Sequence, residues 1–452
     1  MNAPAMHSAD LVVVGAGTGG CAAALTARQS GLSVIVLDRR PYAEIGTKAC
    51  GDAMEGEEIR WCKEVLGVDL SSAILKSGLG ARITTSDGKD SLVLGPEVCS
   101  RAMVDRPAMG KLMLERAIEA GAVFHPETKV LGWIVEDGFV RGVETPSGPF
   151  RARLCIDASG AVSGLRERVE APSPLERKSH PSRMAFAYRE IATVPQGLPH
   201  PDEIELTYDL GQSNGGYVWY FPNGQNRMNV GIGGAVAALP WAGRLQAHGR
   251  SWDRTWQRES AAGAFLPART FLSCAAAPGY IVCGDAACCV GPLDGAGIHS
   301  SLLSGHLAAR QGAQALAGGG QATLESLWPY HRAYLGYRWG QIHDHGAGIS
   351  AQEALRPLLQ KLSQRDFDAL VRLADPRTVT ALYSTSWKSV GPFLAILGKL
   401  ALRPRLVTKI GKSLWRMTRL RSHLLAFPPT PREHPAWERK LRTLLAKAGV
   451  EV

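Results

Sequence analysis

No stretch of this 452-residue chain has enough consecutive apolar residues to span a bilayer. The lead from Met1 to Ala9 also lacks the basic-then-apolar pattern of a secretory signal. Both absences argue against integral-membrane and secreted classes, and a cytoplasmic protein is expected. Cysteine is sparse and unordered: nine residues, an odd number at irregular spacing, give no disulfide framework. The neighbours Cys288 and Cys289 have no histidines at metal-ligand spacing, so no metal is expected and buried thiols are the default. Internal repeats and long Gly/Ser linkers are missing, and only Gly318-Gly319-Gly320 marks a short joint. What is present is 45% apolar residues, enough for a large core divided over two or three domains.

Charge is unevenly placed. From Gly391 onward there are 13 Lys and Arg against 3 acidic residues, which accounts for the whole net charge of +10. Arg405, Lys409, Lys412, Arg416 and Arg419 recur at helical spacing and share one face. Val407, Ile410, Leu414 and Met417 share another, with Leu406 and Leu420 at its margins. Such a helix suits an anionic membrane surface, and it equally suits packing of its apolar face on the rest of the protein. No nucleic-acid reader module accompanies the cations, so nucleic acid is not an expected partner.

The chemistry begins at the N-terminus. A short β-branched run, Asp10 to Val14, leads straight into Gly15-Ala16-Gly17-Thr18-Gly19-Gly20 and a helix-forming stretch that ends near Gly31. Gly15 permits the tight turn, Gly17 lets the backbone approach a pyrophosphate, and Gly20 lets helix pack on strand. The helix N-terminus offers free N–H groups to phosphate. A second strand, Leu32 to Leu37, ends at Asp38, with Arg39 beside it, where a carboxylate can hold a ribose diol. Two later segments extend the pattern. Leu154 to Gly160 reads as a strand ending in a turn. Tyr280 to Ala287 is an apolar strand ending in Gly284-Asp285, followed by Gly295, Gly297 and Ile298. One fingerprint plus a distal Gly-Asp element fits FAD in an extended pose, with Asp285 accepting from a ribityl hydroxyl.

A third segment points to the substrate. Tyr217-Val218-Trp219-Tyr220-Phe221-Pro222, a turn at Asn223-Gly224 and a return strand containing Gly231 and Gly233 read as a hairpin. Tyr217, Trp219 and Phe221 fall on one face, while Gly231 and Gly233 leave theirs bare of side chains. Aromatics beside stripped backbone suggest a slot for something flat or greasy.

On these residues the chain resembles the geranylgeranyl reductase family of FAD-dependent enzymes, within the p-hydroxybenzoate hydroxylase-type fold. Tyr217, Trp219, Phe221, Pro222, Gly231 and Gly233 match that family's lipid-site motif. Lys48-Ala49-Cys50-Gly51 resembles its Lys-x-Cys-Gly segment beside the flavin. Arg101, four residues before Asp105, resembles an arginine that opens a helix and contacts FAD. Asp157 to Arg166 and Gly284-Asp285 resemble elements of the wider group. The resemblance covers roughly residues 10–310; Cys288-Cys289-Val290 departs from the small-residue stretch usual there, and the last third carries no matching motif.

The resemblance implies an α/β FAD-binding, Rossmann-like domain with an inserted antiparallel β-sheet substrate domain and a helical C-terminal region. The expected divisions are an FAD-binding part at 1–175, with strands near 65–97 joining the substrate sheet, and a substrate sheet at 176–270. The FAD-binding part resumes at 271–320, and a basic helical region at 321–452 carries breaks at Pro357, Pro376, Pro392 and Pro404. The implied activity is saturation of carbon-carbon double bonds in a geranylgeranyl or polyprenyl lipid, by flavin hydride transfer plus protonation. Cys50 is the candidate proton relay, with a purely structural role equally open. Electrons would come from NAD(P)H or ferredoxin, since no second nicotinamide fingerprint is present. The location implied is cytoplasmic, with peripheral contact on the inner face of the membrane through the basic helices. The rival reading on the same fold is a monooxygenase or halogenase, although the halogenase Trp-x-Trp-x-Ile-Pro pattern is missing.

Overall fold

Leu11, Val12 and Val13 in the strand His7–Val14 are wholly buried, the environment of a parallel strand covered on both faces. The computed structural model describes residues 7–178, 180–338, 345–374, 376 and 403–451. In it this strand runs parallel to Val34–Leu37 on one side and Gly148–Asp157 on the other. Val123–His125 and Tyr280–Val282 extend the parallel sheet outward. A hairpin, Gly132–Glu136 with Phe139–Thr145, continues antiparallel from Gly148–Asp157. The outer parallel strand at residue 280 arrives only after a second sheet has been completed, so the chain leaves the first sheet and returns to it.

The helix Thr18–Gln29 follows the glycine turn and packs on the helix Ile298–Leu316. At their crossing a Cβ on Gly305 would lie 2.0 Å from the Gly19 carbonyl oxygen. The two backbones touch there, which only glycine allows.

The second sheet runs in the order Gln257–Leu266, Ala185–Thr193, Arg227–Ala235, Tyr217–Pro222, Glu203–Thr207, Ile74–Thr84, Arg101–Val104 and Ala53–Glu55. Ser91–Leu94 pairs beside Ile74–Thr84. This sheet is not purely antiparallel: Glu203–Thr207 pairs in parallel with Ile74–Thr84, Leu206 facing Ile83. The reason is topological. A parallel neighbour needs a long crossover, and here the chain passes through the first sheet between residues 84 and 203.

The C-terminal region is helical, ending in Pro404–Leu425 and His434–Ala448. Pro357 and Pro404 do not break helices; each stands in the first turn of one, where its missing N–H has no intrahelical partner to lose. Pro392 lies outside the described residues, as do the flanks of Pro376. Leu406 is buried against Leu362, with Val407, Ile410, Leu358 and Leu359 around them. The apolar face of Pro404–Leu425 is thus packed in good part on the protein's own helices. Among the described residues no helix is long and apolar enough to cross a membrane, and no group of three or more His, Cys, Asp or Glu is placed to hold a metal ion.

Candidate active site

Where the two sheets meet, a cavity opens that is lined by residues of both. At one end it reaches Thr18 of the glycine turn. Gly15 has φ +104°, and a Cβ there would sit 2.5 Å from the Ala158 carbonyl oxygen. Gly20 is pressed so closely on the Gly15 carbonyl that a Cβ would fall 1.8 Å from its oxygen. Nothing lies within 4 Å of where a Cβ on Gly17 would be, leaving open space before the helix N-terminus. Asp38 closes the turn from the next strand: Oδ2 accepts from Ala16 N at 2.8 Å and Oδ1 from Arg40 N at 2.9 Å. Arg39 is exposed at the same strand end.

Arg101 is not the arginine that opens a helix. It sits in the strand Arg101–Val104 and pairs with Glu55 at 2.8 Å. The helix Arg106–Glu119 is opened by Asp105, whose side chain accepts from Ala108 N, and Arg106 occupies its first turn. Arg106 is 5% exposed, lines the cavity, and donates from Nη2 to Thr18 Oγ1 at 2.9 Å. Its Nε is buried with no hydrogen-bond partner. The signal was present in the sequence: Asp105-Arg106-Pro107 is an N-cap followed by a first-turn proline.

Opposite, Lys48 Nζ meets Asp285 Oδ2 at 2.5 Å, while Asp285 Oδ1 is buried without a partner. Gly284 N donates to Ser304 Oγ at 2.9 Å, holding the Gly-Asp turn on the helix Ile298–Leu316. Gly295, with φ +69°, Gly297 and Ile298 line the same cavity, as do Ala49 and Gly51. Cys288 and Cys289 are buried behind Val290 and Gly291, which form the wall at that point.

The hairpin forms the other end. Tyr217 faces Gly233 and Trp219 faces Gly231 across the strands, with Asn229 opposite Phe221. Directly opposed residues share a face, so three aromatics stand beside a backbone trough that continues into Ala187 and Ala264. Tyr217 donates its hydroxyl to the Asp294 carbonyl, and burial pushes that hydroxyl well above the usual phenol value. Pro222 ends the strand, buried like Phe221.

Asn229 joins hairpin to flavin loop. Trp219 Nε1 donates to Asn229 Oδ1 at 2.9 Å, and Asn229 Nδ2 donates to the Cys50 carbonyl at 2.8 Å and to Asp52 Oδ2 at 2.7 Å. Cys50 is half-buried and lines the cavity. Burial first, and then the Asp52 charge, raise its thiol above the ordinary value. Asp52, 5% exposed and in the left-handed region at φ 64°, is pushed up to about 6 by burial, against the pull of Arg106 and Arg189.

Open space at Gly17, the unpartnered Arg106 Nε and the unpartnered Asp285 Oδ1 all fit a bound dinucleotide. Fold and cradle define an FAD-dependent oxidoreductase. A family model described as FAD dependent oxidoreductase matches residues 10–198. The chain is 30% identical to a digeranylgeranylglycerophospholipid reductase of Methanosphaerula palustris over 67% of this chain and 75% of that protein. A protein of the same name from Sulfolobus acidocaldarius is 24% identical over 97% of both chains. The crystal structure of a geranylgeranyl bacteriochlorophyll reductase-like protein from Thermoplasma acidophilum superposes with a TM-score of 0.74 at 23% identity, over 90% of this chain and all of that one. The chain belongs to the geranylgeranyl reductase family of FAD-dependent oxidoreductases.

Proposed function

We propose that this protein saturates carbon-carbon double bonds of a geranylgeranyl or other polyprenyl lipid. The observation that carries this reading is the cavity in which Thr18 of the glycine turn, Arg106, Cys50 and the aromatic trough of Tyr217, Trp219 and Phe221 meet. FAD, reduced in place by NAD(P)H or a ferredoxin, would supply hydride; Gly15, Ala16, Gly17, Gly20, Asp38, Arg106 and Asp285 would hold it. An isolated trisubstituted alkene has no electron-withdrawing group, so one carbon must be protonated as hydride reaches the other. The aromatic faces favour the positive charge that develops and keep water from capturing it. Cys50 holds a proton at Sγ in the cavity wall, because its raised thiol stays protonated at neutral pH.

A lipid substrate also gives sense to the solvent face of Pro404–Leu425. Arg405, Lys409, Lys412 and Arg419 are exposed around Trp415, itself 59% exposed, and the Arg419 guanidinium lies 4.7 Å over the indole. Among the described residues neither these four nor Arg416 meets a carboxylate at ion-pair distance. A cationic face with a central tryptophan suits an anionic lipid surface on the cytoplasmic side.

The test is to reduce the purified yellow protein anaerobically, add a geranylgeranyl lipid, and follow flavin reoxidation with product mass. Reoxidation with a gain of two hydrogens per double bond is expected. Reoxidation only on admitting oxygen, with oxygen or halide in a product, would transfer the protein to the monooxygenase side.

A further inference from the structure

Asp52 is a carboxyl group in an unusual place. Its backbone takes a left-handed conformation that asparagine and aspartate tolerate but most side chains avoid. That turn carries the side chain under the hairpin, where it is 5% exposed. Oδ2 accepts from Asn229 Nδ2 at 2.7 Å, whereas Oδ1 is buried with no hydrogen-bond partner. An ionised carboxylate would leave that oxygen both charged and unsolvated, so burial favours a proton on it. Its own N–H donates to Cys50 Sγ at 3.3 Å, and the Cys50 side chain is near enough to act on the carboxyl by hydrogen bonding. Cys50 lines the cavity and Asp52 lies behind it.

We propose that Asp52 is the acid behind Cys50, a positioning residue that holds the thiol and returns its proton after each transfer to substrate. The proposal rests on the reading of Cys50 as proton donor in an alkene reduction. The step balances simply. Cys50 S–H breaks as the proton passes to a substrate carbon, leaving a thiolate. The Asp52 Oδ1–H bond then breaks and S–H re-forms. The resulting carboxylate is stabilised by Arg106 from its helix, by Arg189 from the adjoining strand and by the Asn229 amide, and a solvent proton restores the acid between turnovers.

The working form is the protonated one, so activity should be present at low pH and decline as pH rises through about 6. The experiment compares wild-type holoprotein with Asp52→Asn, and with Asp52→Gly, whose backbone accepts the left-handed conformation freely should the first variant fail to hold FAD. Two readouts are needed. One is the anaerobic reoxidation rate with a geranylgeranyl lipid from pH 5 to 8. The other is the rate of Cys50 alkylation by iodoacetamide, followed by peptide mass, which requires no substrate. The variants should reoxidise on the order of 10–100-fold more slowly at the acid end, with the decline in pH abolished. With the neighbouring charge removed, the thiol should titrate lower and alkylate faster at pH 8. Wild-type rates and profile in both variants, or alkylation unchanged while wild type turns lipid over, overturn the pair alone. If wild type itself leaves geranylgeranyl lipids untouched, the proposed function fails and the proton-supply role fails with it.

Discussion

The Trp219 indole fills the space that a side chain at position 231 would need. A Cβ there would lie 2.1 Å from Trp219 Cζ2 and 2.5 Å from the Tyr188 carbonyl oxygen. The backbone cannot give way, so Gly231→Ala must turn the indole and strip its hydrogen bond to Asn229. Overpacking of this kind costs about 1–3 kcal/mol. Urea unfolding should show that loss, and lipid-driven flavin reoxidation should largely disappear; unchanged values for both would mean the trough is not built as described.

Arg106 and Arg101 give opposite expectations for FAD. Arg106→Ala removes a buried guanidinium with an unpartnered Nε beside the glycine turn. A lost charged hydrogen bond of about 1.5–3 kcal/mol corresponds to a dissociation constant on the order of 10–100-fold weaker. Arg101→Ala removes a partly exposed ion pair with Glu55 and should leave FAD affinity within about twofold, since such pairs contribute little. Titration of apoprotein with FAD, read by flavin fluorescence, separates the two.

Glu353 ties the helical region to the segments just before Ala185–Thr193 and just after Gln257–Leu266. Arg183 donates to it from Nε and Nη2, each at 2.8 Å, and Thr270 N at 2.7 Å. Burial alone would raise this carboxyl, but the Arg183 charge and hydrogen bonds outweigh it and hold it below 4.5. Its stabilisation is therefore complete above the ordinary carboxylate range and is lost as pH falls through the lower folded value. Glu353→Ala strands a buried guanidinium and should cost about 3–5 kcal/mol. Thermal melts at neutral and acid pH should show a wild-type advantage that shrinks on acidification; a constant difference would refute the linkage.

Sedimentation with vesicles tests the cationic face. Wild type should bind vesicles rich in phosphatidylglycerol and ignore phosphatidylcholine. Lys409→Glu with Lys412→Glu should weaken binding on the order of 10-fold or more, at about 1 kcal/mol per lost cation. Trp415→Ala should also weaken it, and equal pelleting by all three proteins would eliminate the contact.

Period-two alternation made the faces readable, with Tyr217, Trp219 and Phe221 on one face of their strand and Gly231 and Gly233 together on one face of theirs. The pairing of Tyr217 with Gly233 and Trp219 with Gly231 was not readable, because it is set by a loop longer than the Asn223-Gly224 turn. The glycine turn was readable because strand, turn and helix leave little freedom at Gly15 and Gly20. Arg106 was missed because spacing to an acid was weighed above the Asp-Arg-Pro cap that starts its helix. Asp52 was missed because a left-handed backbone at a non-glycine residue leaves no mark in composition or period. The fate of the apolar face of Pro404–Leu425 depends on Leu358, Leu359 and Leu362, residues far off in sequence. Periodicity finds such a face but not its partner. The parallel pairing of Glu203–Thr207 is hidden likewise, since strand direction follows from a crossover more than a hundred residues long.

Asn229 spans the boundary between the lipid trough and the loop at Cys50, with hydrogen bonds on both sides. Exchanging hairpins with a relative to change which prenyl chains are accepted would therefore also shift the thiol and the carboxyl behind it. The transplantable cassette is residues 48–53 together with residues 217–235. A graft of either piece alone trades a new preference for a misplaced proton.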